Sequence, residues 1–273
     1  MNVKEAIQLL NESKGMHVYD VFIPSVQKEI SFKPITTGQQ KTLSKFSMNA
    51  NTFNLDYEFM KLALFDELKI SNEPITSNDL TELDMVCFLA GIRLNNIMEP
   101  LEIICKCGEC DNKFEFKIDL DTVIQKCKGL DQKEFLIKTT IDDIRYELTI
   151  KYPTYKSLIE LEEYINLLSK ELSYNEDQTI ESRLFLKPAF FIYDLKINEV
   201  EVENFNTLDF LSKIEMYNEL PPTLTILGEN SILNLLLTKF NLQETSSILN
   251  IIKCPKCKHE LEGVLSNDSF FII

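Results

Sequence analysis

The chain has 273 residues, and its 44% hydrophobic content with 18 phenylalanines is enough for a sizeable core, which excludes wholesale disorder. A formal charge of −15, from 43 Asp and Glu against 28 Lys and Arg, argues against a nucleic-acid surface and against docking on anionic lipid, since both rest on dense Lys and Arg. Glycine is scarce at seven residues, and with no GxGxxG and no GxxxxGK[ST] the commonest phosphate-cradling loops are missing.

The opening stretch MNVKEAIQLLNESKG carries acidic residues and no long apolar run. It does not read as a secretory signal, so a protein made and used in a cytoplasm is expected. Within it, Val3, Ile7 and Leu10 have helical spacing over 3–12. Residues 17–35 read as two strands: Val18, Val21 and Ile23 fall in the first, Ile30 and Phe32 alternate in the second, and Pro24-Ser25 supplies the turn. A helix is expected from Thr36 or Thr37. Residues 1–54 carry six Lys and four Asp or Glu, so this end is mildly basic while the remainder is acidic.

Leu55, Phe59, Leu62 and Phe65 predict an amphipathic helix over 55–69. Ser77 or Asn78 then offers an N-cap for a long helix to about Met98, ended by Pro100. Cys87 falls on its apolar side and reads as a buried thiol. Residues 101–105 and 113–120 are short strands flanking a cysteine turn. In the second, Phe114, Phe116 and Ile118 face one way, and Glu115, Lys117 and Asp119 the other.

Residues 134–141 and 144–152 read as a hairpin, and Pro153 precedes a helix over Thr154–Leu172. Residues 190–205 alternate enough for another hairpin. A helix over 207–220 is stopped by Pro221-Pro222, and 223–240 is mostly helical, weakened at Gly228. Residues 246–254 read as a strand entering a second cysteine turn. No uncharged run, Ile232–Leu237 included, is long enough to span a bilayer. The fold class is therefore α+β: helical blocks around a small antiparallel sheet with a split four-cysteine zinc ribbon. Four segments are expected: a hairpin and helix over 1–54; a helical block, first knuckle and strands over 55–152; a helical insertion over 153–250; and a second knuckle with a C-terminal tail over 251–273.

Seven cysteines in a large chain with no export signal point to metal binding or free thiols rather than to disulfides. Cys107-Gly108-Glu109-Cys110 and Cys254-Pro255-Lys256-Cys257 are both C-x-x-C. Such a turn lets two thiolates bite one tetrahedral zinc ion, and two such turns make a closed structural site. Each is preceded by an Ile-Ile pair and followed by a strand. The halves match in register: Phe114 and Leu261 lie four residues beyond Cys110 and Cys257, and Ile118 and Leu265 eight beyond.

More than half of the chain lies between Cys110 and Cys254, whereas an ordinary ribbon keeps its knuckles ~15–20 residues apart. The metal would clasp distant parts of one chain. The entropy of closing such a loop grows only with the logarithm of its length, ~0.6 kcal/mol per doubling. Zinc-finger affinities of ~10–16 kcal/mol exceed it. Cys105, which forms C-x-C with Cys107, and His259 stand as alternative donors, and Cys127 as a bystander.

Four thiolates leave no open position for water, so the expected zinc is structural and the protein is not read as an enzyme. Only two histidines, His17 and His259, are present, and neither H-E-x-x-H nor a deaminase H-x-E…C-x-x-C occurs. Strands, not helices, follow the cysteine turns, unlike a thioredoxin-type motif.

The order of segments also resembles a known family. EISFKPITTGQQKTLSKF, with its Lys33-Pro34 step, LTELDMVCFLAGIRLNNIMEPLEIICKCGEC…FEFKIDL, IRYELTIKYPTYKSL and CPKCKHELEGVLSNDSFFI resemble successive blocks of the baseplate hub protein family of T-even-like contractile-tailed bacteriophages. The likeness covers roughly residues 28–160 and 205–273. It departs at Cys105 and at FFIYDLKINEVEVENF.

The resemblance implies a non-enzymatic component or assembly factor of the phage tail baseplate, acting at the central hub. Its location would be the virion tail baseplate, reached through the host cytoplasm during assembly. Its partners would be other phage baseplate and tail proteins, with no nucleic acid and no membrane. Two contacts are expected. One is the region Val18–Phe46 around Lys33 and Pro34; the other is the apolar tail containing Phe270 and Phe271. The alternative is a zinc-ribbon adaptor that binds a polymerase or transcription complex.

Overall fold

The computed structural model describes residues 2–5, 18–47, 55–97, 101–130, 134–203, 205–227, 231–238 and 252–261. It divides into two units. Residues 1–131 with 245–273 make the first, and 132–244, inserted into it, make the second.

In the first unit, β1 (Tyr19–Ile23) pairs antiparallel with β2 (Lys28–Phe32), Val21 opposite Ile30. The turn between them is a 3-10 helix over Pro24–Val26. Pro24 starts it, where a fixed φ helps and a missing N–H costs nothing. Gln27 closes it in the left-handed region, at φ 52°. Strand alternation turns Val21, Ile23, Ile30 and Phe32 inward. The Phe32 ring then meets Phe65 at 5.3 Å and Phe88 at 5.0 Å, and these two meet each other at 5.1 Å. That aromatic triad joins the hairpin to α2 (Leu55–Leu68) and α3 (Glu82–Ile92). The helix α1 (Thr37–Ser47) begins where expected.

The amphipathic stripe of α2 is rotated from the expected one. Tyr57, Leu62, Leu64, Phe65 and Leu68 are buried, while Phe59 is exposed. A buried ion pair explains the shift. Lys61 lies 2.8 Å from Glu58 and over the Tyr57 ring, so two charged residues occupy the inner face. The long helix expected from Ser77 or Asn78 is divided. A 3-10 turn over Ser77–Asp79 comes first, then extended Leu80, then α3. Thr76 with Asp79 and Thr81 with Asp84 form two successive capping boxes, and each starts its own helix.

Nearly every residue of α3 is buried, which makes it the central helix of this unit. It continues as a π-helical turn over Arg93–Ile97, where Asn95 and Asn96 amides donate to the Gly91 and Ile92 carbonyls. The helix α4 (Leu120–Leu130) packs against α3 and buries Cys127 near Cys87. The hydrogen bond to Cys127, then burial, push the Cys87 thiol up, which accords with the buried thiol expected at that position.

The second unit carries a four-stranded antiparallel sheet in the order β5 (Phe135–Ile141), β6 (Ile144–Ile150), β7 (Ile192–Ile197), β8 (Val200–Glu201). Its two tight turns, Asp142-Asp143 and Asn198-Glu199, have all four residues at positive φ, the conformation that matches strand twist in a two-residue hairpin. Helices α5 (Tyr155–Glu171), α6 (Glu176–Leu186), α7 (Phe210–Asn218), α8 (Pro222–Thr225) and α9 (Ile232–Thr238) accompany it. Leu148, Ile165, Phe191, Leu195, Phe205 and Leu236 lie in its core.

The single helix expected over 223–240 is thus a short turn and a separate helix. Pro222 starts the first, and Ile226, at φ −128°, leaves helical geometry before Gly228 is reached. Because β6 pairs with β7, the hairpin 134–152 belongs with the insertion. The boundaries of that unit fall at 132 and 244, against the segment expected over 153–250. The fold is α+β as expected, with four small antiparallel sheets among the described residues. Most of the helix expected over 3–12 lies outside the described residues, of which 3–5 are helical. No helix among the described residues is long and apolar enough to cross a membrane.

Candidate metal centre

Two hairpins of the first unit form the site. β3 (Leu101–Lys106) pairs with β4 (Lys113–Ile118), and β9 (Ile252–Lys253) with β10 (Glu260–Leu261). Each hairpin bends through one C-x-x-C turn, and the turns repeat each other bond for bond. The Cys107 N–H donates to Asn112 O at 3.0 Å, and the Asp111 N–H to Cys107 O at 2.9 Å. The Cys254 N–H donates to His259 O, and the Lys258 N–H to Cys254 O, both at 2.9 Å. Asp111 and Lys258 occupy equivalent left-handed positions, at φ 54° and 63°. In both hairpins the residue before the first cysteine pairs with the residue six beyond it: Lys106 with Lys113, and Lys253 with Glu260. The matched register read from the sequence therefore holds as far as β10 reaches. Leu265 lies outside the described residues.

The four sulfurs of Cys107, Cys110, Cys254 and Cys257 all lie within 4.8 Å of one another. Cys107 Sγ is 3.5 Å from Cys257 Sγ, and Cys110 Sγ is 3.6 Å from Cys254 Sγ. These distances are far from the ~2.05 Å of a disulfide. They approach the edge of about 3.8 Å that a tetrahedron of ~2.3 Å metal–sulfur bonds requires. Cys107 and Cys254 are fully buried, Cys110 is half-buried and Cys257 is exposed.

The donor set also fits a cation electrostatically. Burial pushes the Cys254 thiol up, but the N–H groups of Cys257 and Lys256 and the neighbouring thiols pull it down, to about 6. At Cys110 the Asn112 N–H acts downward, yet burial and the three neighbouring sulfurs push the thiol up to about 12. Cys257 is likewise raised: the His259 N–H and Cys110 act downward, and burial with Cys107 and Cys254 outweighs them. Cys254 ionises easily while Cys110 and Cys257 resist, because like charges crowd. A dication among them reverses that balance and favours thiolates. The arrangement is compatible with one bound metal ion held entirely by protein sulfur.

Cys105 is not among the converging sulfurs. It lies on β3 opposite Phe114, half-buried, and burial raises its thiol. His259 serves the site through its backbone, as the turn-closing residue equivalent to Asn112, and is also outside the donor set. Lys33 is exposed, and its N–H donates to Leu68 O at 2.9 Å, so the Lys33-Pro34 step docks the end of β2 on the end of α2 before α1 begins. Phe270 and Phe271 lie outside the described residues.

Asn112 is the contributor that the sequence reading missed. Its amide Nδ2 is 3.9 Å from Cys254 Sγ on the opposite knuckle, and its N–H supports Cys110. The cue was the shared offset of five residues from Cys107 and from Cys254 that sets Asn112 and His259 in equivalent places. No family model matches this chain, and neither a curated protein nor a solved structure was found to be similar to it.

Proposed function

We propose that this chain is a non-enzymatic structural component or assembly factor of a phage tail baseplate, acting at the central hub, and that the ion held by its four cysteines is zinc. One observation carries the reading: sulfurs from knuckles 144 positions apart converge into one closed donor set. Four thiolates suit the tetrahedral preference and borderline softness of zinc. Protein atoms take every position of that tetrahedron, so the work left for the ion is to pin two distant pieces of chain into one rigid platform. Such a platform suits an assembly in which proteins dock in order, and the segment likeness to the baseplate hub family names the assembly.

Lys33, Lys41 and Lys45 are exposed, and no acidic residue interrupts 33–47. On a chain of net charge −15, this locally basic stretch beside Pro34 favours a tail protein with an acidic face. The aromatic pair Phe270-Phe271 remains the second proposed contact. The place of action is the virion tail baseplate, after assembly in the host cytoplasm.

Two measurements test the proposal. Elemental analysis of the purified full chain is expected to give one zinc per molecule; none would defeat the metal assignment. Affinity capture of the tagged chain from infected cells is expected to bring down baseplate and tail proteins. Recovery of polymerase subunits in their place would support the adaptor reading and sink the baseplate one.

A further inference from the structure

The four sulfurs differ in what can reach them. Cys257 is exposed, while Cys107 and Cys254 are fully buried and Cys110 is half-buried. A small electrophile therefore meets Cys257 first. The contacts of 3.5 Å from Cys257 to Cys107 and of 3.6 Å from Cys254 to Cys110 both cross from one knuckle to the other. Turn bonds fix each knuckle internally, and the Asn112 amide of one reaches Cys254 Sγ of the other. An oxidised sulfur at Cys257 thus has a buried thiolate from the far knuckle already beside it.

We infer that Cys257 is an oxidation site for small hydroperoxides and that Cys107 resolves it, so that a disulfide between residues 107 and 257 takes over the clasp from the metal. The inference rests on the metal reading above. In the first step the Cys257 thiolate attacks a peroxide oxygen. An S–O bond forms, the O–O bond breaks, and hydroxide leaves and takes a proton as water. In the second step the Cys107 thiolate attacks the sulfenic sulfur. The S–S bond forms, the S–O bond breaks, and a second hydroxide leaves as water. Two thiolates lose two electrons in all, and one hydrogen peroxide with two protons becomes two waters. Only Cys110 and Cys254 remain as donors, too few to hold the ion, yet the knuckles stay joined because the new bond crosses between them. Oxidation within one knuckle would have the opposite consequence and let the two ends part.

The test uses the full chain, with its zinc content measured first. Hydrogen peroxide is added stoichiometrically, metal release is followed with a chromogenic chelator, and disulfides are mapped after non-reducing tryptic digestion. Cleavage after the intervening lysines separates 107–113, 254–256 and 257–258, so each linkage has its own mass, and fragmentation distinguishes Cys107 from Cys110. The expected result is a 107–257 link that appears in step with metal release and disappears with dithiothreitol, unchanged in a Cys105→Ser variant. Links of 107 to 110 or of 254 to 257, a link through Cys105, or metal release with no cross-knuckle disulfide would overturn the inference. Zinc missing at the outset would sink the metal reading and with it the handover of the clasp, while the disulfide map would still decide whether Cys107 resolves Cys257.

Discussion

Gly91 shows how one residue sets the distance between two elements. A Cβ built there would lie 2.4 Å from Val21 Cγ2 and 2.9 Å from Val21 Cγ1, so α3 approaches β1 only because position 91 has no side chain. Helix propensity alone favours alanine by ~1 kcal/mol. Overpacking a buried contact costs ~1–3 kcal/mol, and at this separation the steric term is the larger. Gly91→Ala is expected to destabilise the protein, and Val21→Ala placed on top of it to recover part of the loss, both read as shifts of the denaturant midpoint. A neutral Gly91→Ala would show that the hairpin rides freely on the helix. None of this was legible in the sequence, where Gly91 is one glycine in an apolar run, because the need for it comes from a strand 70 residues away. The four cysteines were legible for the converse reason. A C-x-x-C turn lets two thiolates bite one ion, so each half of the site is written into local spacing. Asn112 lies between these cases: its spacing is local, but its amide acts on the opposite knuckle.

At the scale of elements, segments with a capping residue and a clear apolar period were found, and those that begin without a loop were not. α4 is the instructive miss. β4 ends at Ile118, Asp119 is the only residue between, and the helix starts at Leu120. Leu120 continues the strand's alternation, so the period conceals the change. Asp119 makes the change physically. Its carboxylate accepts from the Thr122 hydroxyl at 2.6 Å and from the N–H groups of Asp121 and Thr122. The Thr122 hydroxyl, then the Thr122 N–H, hold the Asp119 carboxyl below the usual range, with desolvation acting against them. A carboxyl depressed on folding stabilises the native state above its unfolded value, ~3.9, and that contribution is lost as pH falls through the lower folded value. NMR titration is expected to place the Asp119 carboxyl below that of a model peptide. Asp119→Ala is expected to fray the first turn of α4 near neutral pH, seen as faster amide exchange at 120–123, with the difference from wild type vanishing in acid. A titration at the model-peptide value would remove Asp119 from this role. α6 was missed differently: Asn175 and Gln178 form a capping box, but Ile180, Leu184 and Phe185 are exposed, so the apolar stripe that would have announced the helix points outward.

At the scale of the whole molecule, the four-cysteine cluster brings together the two ends of the first unit. β9 and β10 form a two-stranded hairpin, and a lone hairpin is marginal at best in water. Its order is borrowed from the first knuckle through the sulfurs. Cross-linking a loop of this size removes about 5 kcal/mol of chain entropy from the unfolded state, a large part of the stability of an ordinary domain. Loss of one sulfur should therefore reach beyond the segment that carries it. If the proposed metal clasp holds, then in Cys254→Ser, or after chelation, hydrogen exchange is expected to quicken at 101–118 as well as at 252–261, and the bound metal to be released. The sheet β5–β8, which has its own core, serves as the internal reference. Acid should mimic the chelator, since protonated thiols do not ligate. Faster exchange confined to 252–261, with 101–118 still protected, would mean that the first knuckle stands without the second; the clasp would then be ornament on a unit held by α3 and its aromatic triad, and a docking platform built on the metal would lose its physical basis.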